Sequence, residues 1–211
     1  DKLYLVDHGT QISGLGDWAE QLIAESTGKE GKGLLPVVLD RPGAGAPPAD
    51  ATVVRLVADD GEDEVPVAPS TVDVGGSLGA QFLLWETATA VAGRLLGINP
   101  FDQPDVESAK QAARDLMSGS GGDEATDDLV DGPVTVRHLG GDWLGGATDV
   151  DSAVSALLAQ LDPQHGYVAV MAYLDREGDA PFAEVADALA ERVQRPVTFG
   201  WGPRFLHSTG Q

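Results

Sequence analysis

Lys2-Leu-Tyr-Leu-Val-Asp7 and Leu34-Leu-Pro-Val-Val-Leu39, with one helical stretch between them, decide the fold of this 211-residue chain. Both runs are short and apolar; the second suits a strand buried in a parallel sheet. Between them residues 15–27 repeat apolar side chains at helical spacing. The repeat stops at Gly28, a residue favoured just past a helix end. Strand, helix, strand is the alternation of an α/β layer fold.

The alternation continues outward. Residues 52–57 read as a strand, 78–96 as a long helix ending at Gly97, and 104–117 as a helix with Pro104 in its first turn. Further on come a strand at 134–138, a helix at 150–161, a strand at 167–174, a helix at 182–193 and a last strand at 197–201. Gly75-Gly-Ser-Leu-Gly79 reads as a turn before the long helix. No internal repeat is visible. The expected class is therefore α/β, a mainly parallel sheet flanked by helices.

Composition narrows the function. There is no cysteine, so disulfides, zinc–thiolate sites and cysteine nucleophiles are excluded, and a reducing cytoplasm is compatible. A formal charge of -21 argues against nucleic acid, whose backbone requires basic surface. No apolar run is long enough for a membrane helix. Ten of the 34 carboxylates fall in residues 59–64 and 123–131, which read, with the Gly/Asp-rich stretch 118–132, as solvated, mobile loops. The chain starts inside a strand and without Met, like a piece of a longer protein.

Two charged groups stand out by their placement on helices. On a helical wheel Glu25 falls beside Trp18, with Gln21 one turn before it, whereas Glu20 falls on the wet side. A carboxylate at such a boundary, near a helix carboxyl end, suits a general base; the plain alternative is a boundary Glu, solvated or paired with Lys29. Lys110 falls at the edge of the apolar arc of the helix at 104–117. It could stabilise a developing oxyanion or simply extend its stem over apolar surface. His8, His138 and His165 sit near strand ends or in a turn without metal spacing. His207 follows Gly202-Pro203 and precedes Ser-Thr-Gly, so a tight backbone holds it.

Three segments together resemble the glucose-6-phosphate isomerase family. Glu25-Ser-Thr-Gly-Lys29 resembles its Glu-Ser-x-Gly-Lys signature. Ile98-Asn-Pro-Phe-Asp-Gln-Pro-Asp-Val-Glu-Ser-Ala-Lys110 resembles the longer Asn-x-Phe-Asp-Gln-x-x-Val-Glu-x-x-Lys signature. Leu206-His-Ser-Thr-Gly-Gln211 resembles the His-centred segment of bacterial members. The resemblance implies a three-layer sugar-isomerase (SIS) domain over residues 1–211, the C-terminal half of the enzyme. It implies Glu25, Lys110 and His207 as catalytic residues, Gln21 and Gln103 as pocket-lining residues, and no cofactor or metal.

The same resemblance implies a sugar phosphate substrate, a homodimer sharing its site, a cytoplasmic location, and neither nucleic-acid nor membrane partners. Here the His segment comes last, whereas common members place it between the other two. That order resembles the isomerase half of bifunctional transaldolase/glucose-6-phosphate isomerases. The family's phosphate-binding Ser/Thr cluster and its Gly-Gly-Arg segment are not in this sequence, so the N-terminal half would have to supply them. The rival readings are a non-catalytic sugar-phosphate-binding SIS module and an isomerase of another hexose phosphate.

Overall fold

The computed structural model describes residues 2–39, 47–58, 70–102, 110–111, 114–115, 117–118 and 129–207. Two compact units form, one from Asp1–Val106 with Val168–Gln211 and the other from Glu107–Tyr167. The acidic stretches 59–64 and 123–128 lie outside the described residues, as does Gln103.

In the first unit, β1 (Lys2–His8), β2 (Leu35–Leu39), β3 (Ala51–Val57) and β4 (Thr71–Val74) make a parallel sheet in the order β2-β1-β3-β4. The register sets Leu5 opposite both Val38 and Val54. Because side chains alternate across a strand, β1 supplies two cores. Leu5 packs with Leu15, Ala19, Ile23, Val54, Leu56 and Trp85 on one face, and Tyr4 and Val6 pack with Val37 on the other. Burial pushes the Tyr4 phenol up to about 12, although the nearby Arg195 guanidinium pulls the other way. Pro36 sits in β2, the outer strand of this sheet, where its missing N–H leaves no ladder bond unmade.

The helix α1 (Leu15–Thr27) lies against the sheet through Leu15, Ala19 and Ile23. Its Trp18 turns to α2 (Leu78–Leu96) and meets Phe82 at a ring separation of 4.5 Å. Ser77 is the N-cap of α2 after Gly76, whose φ of 131° requires glycine, so residues 75–77 are the turn before the helix, and Leu78 and Gly79, which the sequence placed with them, already open it. The strands β7 (Val168–Ala172) and β8 (Val197–Trp201) pair in parallel. Between them the expected helix at 182–193 splits into a 3-10 turn, Ala180–Glu184, and α4 (Val185–Val193). A second 3-10 turn, Arg204–His207, follows β8.

The second unit contains an antiparallel hairpin, β5 (Leu129–Asp131) and β6 (Val134–Val136), and α3 (Val150–Leu158). Asp149 caps α3 by accepting from the Ser152 backbone N–H at 2.8 Å, while the Ser152 hydroxyl takes the Asp149 N–H at 3.2 Å. Lys110, Gln111, Arg114, Asp115 and Met117 are helical, as the sequence suggested for 104–117. The architecture is α/β with a mainly parallel sheet flanked by helices, the expected class. No helix among the described residues is long and apolar enough to cross a membrane.

Candidate active site

The carboxyl ends of α1 and α2 meet, and two lysines from the loop after α1 bind there. Lys29 is 4% exposed, and its ammonium donates to the Asn99 carbonyl at 3.1 Å, to the Asp102 carbonyl, and to Asp102 Oδ1 at 3.3 Å. Lys32 Nζ donates to the Leu96 carbonyl at 3.0 Å. Helix carboxyl ends leave carbonyls without intrahelical partners and carry partial negative charge. Lys32 satisfies one such carbonyl, Leu96, and both ammoniums offset the partial charge.

Local sequence explains the shape of this junction. Thr27 is fully buried; its hydroxyl donates to the Ile23 carbonyl at 2.8 Å and accepts from the Leu34 N–H at 3.2 Å. The Gly28 N–H closes α1 on the Ala24 carbonyl at 2.9 Å. Lys29 and Lys32 then bridge a tight turn whose Glu30 and Gly31 both have positive φ. Across the junction, Gly97 ends α2 in the left-handed region, and the Ile98 N–H returns to the Gly93 carbonyl at 3.0 Å. Asn99 Oδ1 accepts the Phe101 N–H at 3.1 Å, which folds the segment back on itself.

The first two sequence segments are thus brought together, Glu25–Lys29 against Asn99–Asp102. Glu25 is half-buried in the last turn of α1, with Gln21 half-buried one turn earlier. It follows Trp18 by seven residues, two helical turns, and so shares the side of α1 that meets α2. The three donors of Lys29 are directed to Asn99 and Asp102. Lys110 belongs to the second unit and is exposed, the apolar arc beside it (residues 106, 109, 113 and 116) lying outside the described residues; Met117 of the same stretch is 91% exposed. His207 is exposed at the end of its 3-10 turn.

One expectation is overturned. Glu20 is buried at 7% exposure, not on a wet face, because Arg204 reaches it at 2.8 Å and also donates to the Asp17 carbonyl at 2.5 Å. This pair fastens the turn that carries His207 to the middle of α1. Neither Arg204 nor the Lys29 clamp was evident from periodicity, which registers apolar spacing and not distant partners. Lys29 did stand inside a quoted motif; nothing marked Arg204.

A cavity of about 360 Å³ opens at the opposite, amino-terminal end of α1, lined by Asp7, Thr10, Ser13, Asp17, Arg176 and Arg204 among others. Glu25 does not line it. The cavity and the motif junction are separate places on the first unit.

The sequence is similar to sugar-phosphate isomerases over part of its length. A probable glucose-6-phosphate isomerase of Methanococcus maripaludis is 48% identical over 44 residues, 21% of this chain and 10% of that protein. A glucose-6-phosphate isomerase of Heliobacterium modesticaldum is 30% identical over 166 residues, covering 55% of this chain and 37% of that protein. The match therefore spans well under half the length of either curated relative. No protein-family model matches the chain.

Proposed function

We propose that this chain is the C-terminal catalytic subdomain of an isomerase that interconverts glucose 6-phosphate and fructose 6-phosphate. The observation that carries the reading is the buried Lys29 clamp, which joins Glu25–Lys29 to Asn99–Asp102. Those are two of the segments that resemble the isomerase signatures, and the partial relatives bear the same name. An accidental pair of motifs would have no reason to share one buried cation.

In this reading the sugar ring opens first. His207 moves the proton at the ring oxygen, and Lys110 steadies the negative charge developing there. Glu25 then takes the proton from C2 of the aldose, leaving a cis-enediol(ate), and returns it to C1 to give the ketose. Gln21 and Gln103 hold substrate hydroxyls. No cofactor enters, since the electrons only shift between neighbouring carbons. The phosphate grip and the donors for the enediolate come from an N-terminal SIS half, which also offsets the charge of -21. The full enzyme is a cytoplasmic homodimer sharing its site, with His207 acting within one chain or across the dimer, and its chain order fits an isomerase fused to transaldolase. The 211 residues alone fold but turn over little substrate.

The test is turnover of glucose 6-phosphate by the intact protein with Glu25→Gln, its fold checked by circular dichroism. Removing a positioned general base lowers kcat by about 10²–10⁴-fold. Near-parental turnover in a folded Glu25→Gln protein would falsify the assignment.

A further inference from the structure

Lys29 deserves a role of its own beyond stabilising a turn, and the inference rests on the isomerase reading above. We propose that Lys29 is a positioning residue of that site: its buried ammonium fixes Asn99–Asp102, immediately ahead of Gln103, against the turn that follows Glu25. Burying an ammonium is costly unless every proton finds an acceptor. Here three protons meet three oxygens, two of them main-chain carbonyls. The only carboxylate among them belongs to Asp102, whose side chain is 53% exposed. A cation held mainly by carbonyls fixes backbone position rather than neutralising a buried acid.

The lysine itself has little slack. Its N–H donates to the Thr27 carbonyl at 2.9 Å and its carbonyl accepts from the Lys32 N–H at 3.0 Å. Thr27 is in turn locked to Ile23, two residues before Glu25. A continuous run of short bonds therefore connects the helical turn of Glu25 to Asn99 and Asp102. Lys29 acts through that run and touches no reacting atom, so its loss should disturb alignment more than substrate affinity.

Two variants read this out in the intact protein. Lys29→Met keeps the length of the side chain and removes the charge; Lys29→Arg restores a cation with a different shape. Misplacement of reacting groups by about 1 Å can lower a rate about 10²-fold. Lys29→Met is expected to lower kcat about 10- to 100-fold, with KM changed by less than about threefold. Lys29→Arg should regain part of the loss. Amide exchange at Phe101 should accelerate in Lys29→Met, while the β1 and β3 amides keep their protection. Parental kcat in Lys29→Met, with an active parent, sinks the positioning role alone. Loss of β1 and β3 protection in both variants also overturns it, in favour of general stabilisation. A parent that turns over no glucose 6-phosphate sinks the isomerase reading, and the catalytic part of this proposal with it.

Discussion

Pro100 lies on the bare Cα of Gly93: a Cβ built there would stand 2.8 Å from Pro100 Cγ and 2.9 Å from Pro100 Cβ and Cδ. The contact presses the start of the Asn99–Asp102 segment onto the last turns of α2. A ring has little room to give way, so the position accepts hydrogen and nothing larger. Gly93→Ala is expected to destabilise the protein by about 1–3 kcal/mol through overpacking, even though alanine favours a helix. Urea denaturation checks this. A neutral or stabilising result would mean that Pro100 can move freely away from α2.

Thr27 is the second place where the junction can be tested without touching a charge. Thr27→Val preserves shape but leaves the half-buried Leu34 N–H without its 3.2 Å acceptor. The expected loss is about 0.5–1.5 kcal/mol, the net worth of a typical hydrogen bond. Thr27→Ser, which keeps the oxygen, should lose distinctly less. Equal losses in both variants would assign the effect to packing.

The Glu20–Arg204 pair makes a different prediction. Arg204→Met leaves a carboxylate of 7% exposure without the guanidinium now 2.8 Å away. Arg204 is itself partly exposed, so water recovers some of the loss, and about 1–3 kcal/mol is expected. Adding Glu20→Gln to Arg204→Met should restore much of it, because no charge is then left buried. Thermal denaturation of the four proteins in the cycle measures the coupling. Additive losses would show that the two side chains do not depend on each other.

Acid should act through Asp73. Arg55 holds its carboxylate by two bonds, at 2.5 Å and 2.6 Å, and these hold the Asp73 carboxyl below its ordinary 3.8. A carboxyl lowered on folding stabilises the folded state above its unfolded value, and that stability disappears as pH falls through the folded value. Asp73→Asn should therefore unfold more easily than the parent at pH 7. The gap should narrow as pH falls below about 4 and close once the pH lies below the folded value. Urea midpoints across that range decide it; a gap constant with pH would mean that the pair does not act through charge.

The sheet and its two long helices were legible because they bury apolar residues at regular spacing. The strand β8 was read as residues 197–201 and α2 as residues 78–96, and both have those bounds. The strand β4 escaped because Thr71-Val-Asp-Val74 is only four residues long and half of it is exposed. The strand β5 is shorter still and ends in an acidic residue. Glu20 was misread for a related reason. A wheel centred on Trp18 finds the side of α1 that meets α2, but the sheet-facing side is centred on Ala19 and Ile23, next to Glu20. Its partner Arg204 stands 184 residues away, and no local pattern announces it. The candidate site was legible as separate segments; the cation that joins two of them was not.

Two of the three bonds from Lys29 end on main-chain oxygens. Every amino acid offers such an oxygen, so the recognition is one-sided. The position must carry a cation, best a lysine, while Asn99 and Asp102 contribute to it mostly through where their backbone lies. A library that randomised positions 99 and 102 together with 29 should therefore tolerate variety at the first two wherever the turn survives, and little at the third. The information that holds the junction together is concentrated in one side chain, and its receiving half is written in the path of the chain.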